Sequence, residues 1–228
     1  MDALSQRINS LPVSETLAMA AKARELKNQG IDIIGLSLGE PDFNTPEFIK
    51  EAAVQAVNDN WNSYSPVDGY ADLKEAICEK FKRDNKISYT PSQIVVSTGA
   101  KQSIANVCMV LLNPGDEVLL PAPYWVSYSA IATLAEAKST IIPSSIETDF
   151  KITPDQLEAA ITPKTKLIMF NSPNNPSGTI YTESEYRALG KVLEKYPDIY
   201  ILSDEIYEHI NYGTPHFSIA AIPELYDR

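Results

Sequence analysis

The sequence predicts a three-layer α/β fold, a mostly parallel sheet with helices on both faces. Three observations predict it. Short apolar runs, EVLLP (117–121), KSTIIP (138–143), KLIMFN (166–171) and IYILSD (199–204), alternate with helical patterns. Runs such as EVLLP and KLIMF are apolar without interruption, as strands covered on both faces require. Polar and aromatic residues gather just after these runs, at the carboxyl ends of strands, where sheets of this kind bind ligands.

The elements follow in order. Ser14 opens a helix running to Gly30, and IDIIGLSLG (31–39) follows as a strand. Thr45 and Pro46 supply an N-cap and a first-turn proline for a helix through Val57. ADLKEAICEKFKRD (71–84) is an amphipathic helix. IVVSTG (94–99) reads as a strand and KQSIANVCMVLL (101–112) as a buried helix. NPGD (113–116) is a turn before EVLLP. WVSYSAIATLAEA (125–137) is helical and KSTIIP a strand. Thr153-Pro154 caps a further helix. KLIMFN is the next strand, and the T-x-x-E box from Thr182 to Glu185 starts a helix that ends near Tyr196. IYILSD is the last clear strand.

Composition narrows the function. The chain has 228 residues, 44% hydrophobic and 21% charged, as in an ordinary globule with a sizeable core. A net charge of −11 argues against nucleic acid, which needs a basic face. Cys78 and Cys108 stand in helical patterns without CxxC spacing, so two free thiols and a reducing cytoplasm are expected. No signal segment opens the chain, and no apolar run approaches the ~18 residues of a membrane span. No metal-binding spacing is evident.

At the strand ends stand Ser97-Thr98-Gly99-Ala100-Lys101, Ala122-Pro123-Tyr124-Trp125, Asn171 to Gly178, and Asp204 to Tyr207. Each has a plain reading alone: a glycine turn, core filler, turn-forming asparagines, and at Asp204 the N-cap of a helix that follows the strand and carries Tyr207. Together they suit one ligand. A helix start at Gly99 takes an anion. Asp204 keeps a heteroaromatic nitrogen protonated, Asn175 and Tyr207 bond a phenolic oxygen, and Trp125 covers a ring face. A flat ring with a phosphate arm, a basic nitrogen and a phenolic oxygen is pyridoxal phosphate. Neither GxGxxG nor GxxxxGK[ST] is present to favour a nucleotide. Asn171 and Asn174 read as turn formers.

GEPDFNTP (39–46), YSPVDGYADLKEAI (64–77), STGAKQ (97–102), PGDEVLLPAPYWVSY (114–128), ITPKTK (161–166), NSPNNPSG (171–178) and SDEIYEHI (203–210) resemble class I (fold type I) pyridoxal-phosphate aminotransferases, in particular the bacterial aspartate aminotransferases. The resemblance implies the large domain of that fold, with residues 46–228 its N-terminal portion and 1–45 an arm and helix reaching the substrate site. It implies phosphate binding by the backbone of Gly99, Ala100 and Lys101, with Trp125 on the pyridine. Asn175 and Tyr207 would hold the phenolic oxygen and Asp204 the ring nitrogen. It further implies that Tyr64 reaches the partner subunit's phosphate in a homodimer. Gly39, Asn175, Trp125, the Lys101 side chain and Thr16 would meet the substrate. Pro12 stands where some relatives carry a basic residue, which leaves the substrate range open.

The family also needs a Schiff-base lysine, about thirty residues past the aspartate in a Ser-x-x-Lys pattern, which falls just beyond Arg228. The expectation is therefore an aminotransferase, with aspartate as donor and 2-oxoglutarate as acceptor, whose 228-residue chain is truncated and inactive alone. A lyase or synthase using the same cofactor, and a non-catalytic dimerisation module, remain open.

Overall fold

The computed structural model describes residues 3–11, 15–36 and 39–228, and the side chains of these except 15–17. The chain forms two compact units, Asn9–Ser65 and a larger one made of Pro66–Arg228 with the residues before Asn9. The smaller unit holds α2 (Glu15–Asn28) and α3 (Glu47–Asn58). A four-residue helix, α1 (Gln6–Asn9), precedes them. Pro46 stands at the N-cap of α3 rather than inside its first turn, and no side chain caps that helix. Ile31–Leu36 has no regular structure, so the strand expected there is not formed in the part described.

The larger unit runs α4 (Ala71–Lys80), a π-helical turn (Phe81–Asn85), α5 (Ala100–Leu111), β1 (Glu117–Pro121), α6 (Ser127–Leu134), β2 (Lys138–Ile142), α7 (Pro154–Ala160), β3 (Thr165–Asn171), α8 (Glu183–Leu193) and β4 (Tyr200–Asp204). Among the described residues the sheet has four strands in the order β2-β1-β3-β4, all parallel. Each consecutive pair of strands is joined through a helix, the connection that parallel strands need.

Strand alternation divides the core between the two faces. Leu119, Ile142, Ile168 and Phe170 pack with Leu157 of α7 and with Tyr186, Leu189 and Leu193 of α8. Val118, Leu120, Leu167 and Met169 pack with Ile104 and Cys108 of α5 and with Tyr128 and Ile131 of α6. Successive side chains on a strand point to opposite faces. Asn171, two residues past Met169, and Asp204, two past Leu202, therefore share the α5/α6 face. Register sets Asn171 directly opposite Asp204. Two polar residues thus meet where β3 and β4 end, on the side covered by α5 and α6.

Three expectations are corrected. IVVSTG is extended but joins no ladder; Val96 makes a single backbone bond, to the Asp68 carbonyl at 3.1 Å. The helix expected over 71–84 closes at Lys80 and widens into the π turn, ended by Lys86 in the left-handed region at φ 62°. No helix follows Asp204. The chain makes a turn, with Glu208 N–H donating to Glu205 O at 3.0 Å and Ile210 N–H to Tyr207 O at 2.8 Å.

The helix caps behave as their residue types dictate. Thr153 accepts from Gln156 N–H at the start of α7. Thr182 accepts from Glu185 N–H at 3.3 Å, while Glu185 Oε2 takes Thr182 N–H at 2.7 Å. Thr182→Ala leaves that first-turn donor without its acceptor and should cost about 1 kcal/mol, read as a lowered urea midpoint with unchanged slope.

Candidate active site

Asp204 is the centre of the site. It ends β4 and is only 8% exposed. Its Oδ2 accepts the Tyr128 hydroxyl at 2.6 Å, and its Oδ1 accepts Ile206 N–H at 3.2 Å. Burial, and then the negative charge of Asp204, push the Tyr128 phenol far above its ordinary range, so Tyr128 remains a donor.

Asn171 and Asn175 extend the site along β3. Asn171 Nδ2 donates to the Asp204 carbonyl at 2.9 Å, and Asn171 Oδ1 accepts Asn175 N–H at 2.7 Å. Asn171 is buried, and its amide ties the end of β4 to the loop after β3. It is a structural bridge rather than a turn former. Asn175 Nδ2 in turn lies 3.4 Å from the Tyr207 hydroxyl. Asn174 does make turn bonds, accepting Ser177 N–H at 3.1 Å and the Ser177 hydroxyl at 2.8 Å. It also donates to the Pro123 carbonyl at 3.2 Å, which joins this loop to the one after β1.

Gly99 precedes α5 with φ 87°, a conformation that glycine adopts freely and other residues resist. The first-turn N–H groups of Ala100 and Lys101 have no intrahelical acceptor, as at any helix start. Residues 100, 103, 104 and 107 of α5 line an open cavity of about 230 Å³ together with Leu202 to Ile206, at the end of β4 and just beyond it. The positive helix start and the Asp204 carboxylate therefore border one space. A ligand with an anionic arm and a basic nitrogen fits that donor set.

Trp125 stands just before α6, its ring edge-to-face with Tyr128 at 5.5 Å. The Lys101 ammonium lies 4.8 Å from the centroid of the indole. A flat ring stacked on that side of Trp125 must take the place of Lys101. Gly39, Thr16 and Tyr64 belong to the smaller unit. Gly39 is exposed and Tyr64 is fully open to solvent there. The Thr16 side chain and Pro12 lie outside the described residues.

Two contributors, Tyr128 and Asn171, were missed by sequence reasoning. A signal existed for Tyr128. It lies three residues after Trp125, and a buried tyrosine hydroxyl needs a partner.

A parallel α/β sheet of this kind, with a helix start, a buried carboxylate and an amide–phenol pair at its strand ends, presents groups suited to a small ligand with an anionic arm and a basic nitrogen. The chain belongs to the aminotransferase class I and II family, whose model matches residues 31–227. It is 53% identical over 207 residues to the aspartate/prephenate aminotransferase of Nitrosomonas europaea, covering 91% of this chain and 52% of that protein. It is 51% identical to the aspartate aminotransferase of Bacillus subtilis, covering 97% of this chain and 56% of the other. The solved aspartate aminotransferase of Rhizobium meliloti superposes with a TM-score of 0.94 at 44% identity, over 97% of this chain and 56% of that one. The chain spans about half the length of the curated relatives it matches. No helix among the described residues is long and apolar enough to cross a membrane.

Proposed function

We propose that the protein transfers amino groups through pyridoxal phosphate, taking aspartate as donor and 2-oxoglutarate as acceptor. The observation that carries this reading is the Asp204–Asn171–Asn175–Tyr207 chain of contacts beside the α5 start. Asp204, held by Tyr128, binds the protonated ring nitrogen. Asn175 and Tyr207 donate to the phenolic oxygen. The backbone of Gly99, Ala100 and Lys101 takes the phosphate, and Trp125 lies against the ring. The bound cofactor supplies an electron sink for charge developing on the substrate's α-carbon.

Lys101 is freed from the indole when a ring enters, and its ammonium then meets the distal carboxylate of an acidic substrate. Gly39 and Thr16 complete substrate binding, and Tyr64 reaches the phosphate of a second copy in a cytoplasmic homodimer. Residues 46–228 form the N-terminal part of the cofactor domain, and 1–45 the arm towards the substrate. The free thiols of Cys78 and Cys108 suit a reducing compartment.

Within the larger unit, Lys101 lies over Trp125, Lys80 pairs with Glu208 and Lys151 with Glu185. None of these stands at the Asp204–Asn175 pair. On this reading the 228 residues by themselves bind the cofactor reversibly, without a lysine adduct. Borohydride treatment followed by mass spectrometry should find no stoichiometric reduced adduct on this chain. The full-length gene product should show a visible cofactor band and turn over aspartate with 2-oxoglutarate. Prephenate is the second acceptor to assay, since it is named for the Nitrosomonas relative. Cofactor binding without any transamination would favour a lyase or synthase. Absence of cofactor binding would favour a dimerisation module.

A further inference from the structure

The turn that carries Tyr207 has no regular ladder to hold it. Its two glutamates, Glu205 and Glu208, are instead held by other elements. Ser203 Oγ donates to Glu205 Oε1 at 2.8 Å, and His216 Nε2 lies 3.1 Å from Glu205 Oε2. Glu208 forms a closed triangle with two residues at the end of α4 and its π turn. The Lys80 ammonium bonds Glu208 Oε1, Asn85 Nδ2 donates to Glu208 Oε2 at 3.0 Å, and Lys80 also donates to Asn85 Oδ1 at 2.9 Å. Ligand atoms of Glu205, Glu208 and His216 lie within 4.8 Å of one another. Two carboxylates this close repel unless a cation stands between or beside them. Lys80 is that cation, and the exposed ring of His209 adds a second nitrogen 3.5 Å from Glu208.

The π turn has a purpose in this light. It sets Asn85, 8% exposed, beside Lys80 and Glu208. Such widened turns commonly mark functional positions. Tyr207 directly precedes the clasped residue, and its hydroxyl meets Asn175 Nδ2 at 3.4 Å. The residue after Tyr207 is thus held by Lys80 and Asn85, neither of which lines the cavity beside Asp204.

We propose that Glu208, clasped by Lys80 and Asn85, is a positioning residue that sets the Tyr207 hydroxyl against the phenolic oxygen of the cofactor. This rests on the function proposed above. The test is a double-mutant cycle in the full-length gene product, read as the pyridoxal phosphate dissociation constant and as the pH midpoint of the bound cofactor's visible band. Glu208→Gln keeps the shape but removes the charge that holds Lys80, and Lys80→Met removes the clasp from the other side. Each should weaken cofactor binding about tenfold and shift the band midpoint in the same direction as Tyr207→Phe. Added to Tyr207→Phe, either should change binding by less than about twofold.

Effects that multiply in the double variants, or a band midpoint unmoved by both Glu208→Gln and Lys80→Met, would show that the clasp serves only the fold and overturn the proposal. Should one variant fail to fold, the other completes the cycle. If the unsubstituted protein takes up no pyridoxal phosphate, the proposed function itself fails and this inference falls with it. Uptake by the unsubstituted protein with multiplying effects would sink the positioning role alone.

Discussion

Asp204→Asn is expected to lower transamination by the full-length protein about 10³-fold while lowering its melting temperature by only about 2–4 °C, the worth of one hydrogen bond. The two halves of that result have separate causes. Asparagine keeps the shape of the side chain and one oxygen, which retains the 2.6 Å bond from the buried Tyr128 hydroxyl, while its amide nitrogen replaces the acceptor of Ile206 N–H and that 3.2 Å bond is lost. It carries no charge, so a ring nitrogen beside it no longer gains by being protonated. Asp204→Ala should behave differently. It strands the Tyr128 hydroxyl, 1% exposed, without an acceptor, at a cost of about 1–3 kcal/mol in stability on top of the lost activity. Tyr128→Phe removes one bond to the carboxylate and should lower activity about tenfold. Stopped-flow single turnovers and circular-dichroism melts on the three variants separate these effects. Asp204→Asn activity within tenfold of the unsubstituted protein would remove Asp204 from the proposed site.

The sheet was legible wherever local sequence alone decides the structure. EVLLP and KLIMFN become the covered strands β1 and β3, and KSTIIP and IYILSD the partly exposed edge strands β2 and β4, all within a residue or two. The boxes at Thr153 and Thr182 were legible because capping is contained in four residues. IVVSTG was not, because a strand exists only with a partner, and partners come from elsewhere in the chain. The turn after Asp204 was misread as a helix for a related reason. Glu205 and Glu208 look like helix formers locally, but Ser203, His216, Lys80 and Asn85 bind their carboxylates and hold the backbone in another shape.

The site divides along the same line. Gly99, Trp125, Asn175, Asp204 and Tyr207 stand after strand-like runs and could be singled out by position. The roles of Tyr128 and Asn171 were not legible in this way, since each acts through a residue on another element. From its apolar neighbours Tyr128 reads as core, and only the fold shows that its hydroxyl meets a carboxylate on β4. Asn171 gains its bridging role from the register that sets it opposite Asp204, a property of strand pairing rather than of either strand.

Phe170→Ala should be the most damaging single change to the fold. Phe170 lies in β3, 1% exposed, on the face opposite Asn171. Its ring meets Tyr186 edge-on at 5.5 Å and Tyr181 at 5.8 Å, and those two rings stack at 4.9 Å. Truncation removes the centre of this trio and leaves a cavity between the sheet and α8, at a cost of about 3–5 kcal/mol. For a chain of this size that lowers the melting temperature by about 10 °C. Phe170→Leu keeps most of the volume and should lose less than half as much, because only the aromatic edges and a small void are forfeited. Urea unfolding followed by far-ultraviolet circular dichroism measures both. A loss below about 1 kcal/mol for the alanine variant would mean that the tyrosines collapse into the gap. In that case the loop after β3 should move with Tyr181, whose N–H is bound by Ser172 Oγ at 3.0 Å, and cofactor affinity should fall together with the packing. If the cavity stays open, Asn171 remains in register on the other face, and the surviving folded protein should bind the cofactor as before.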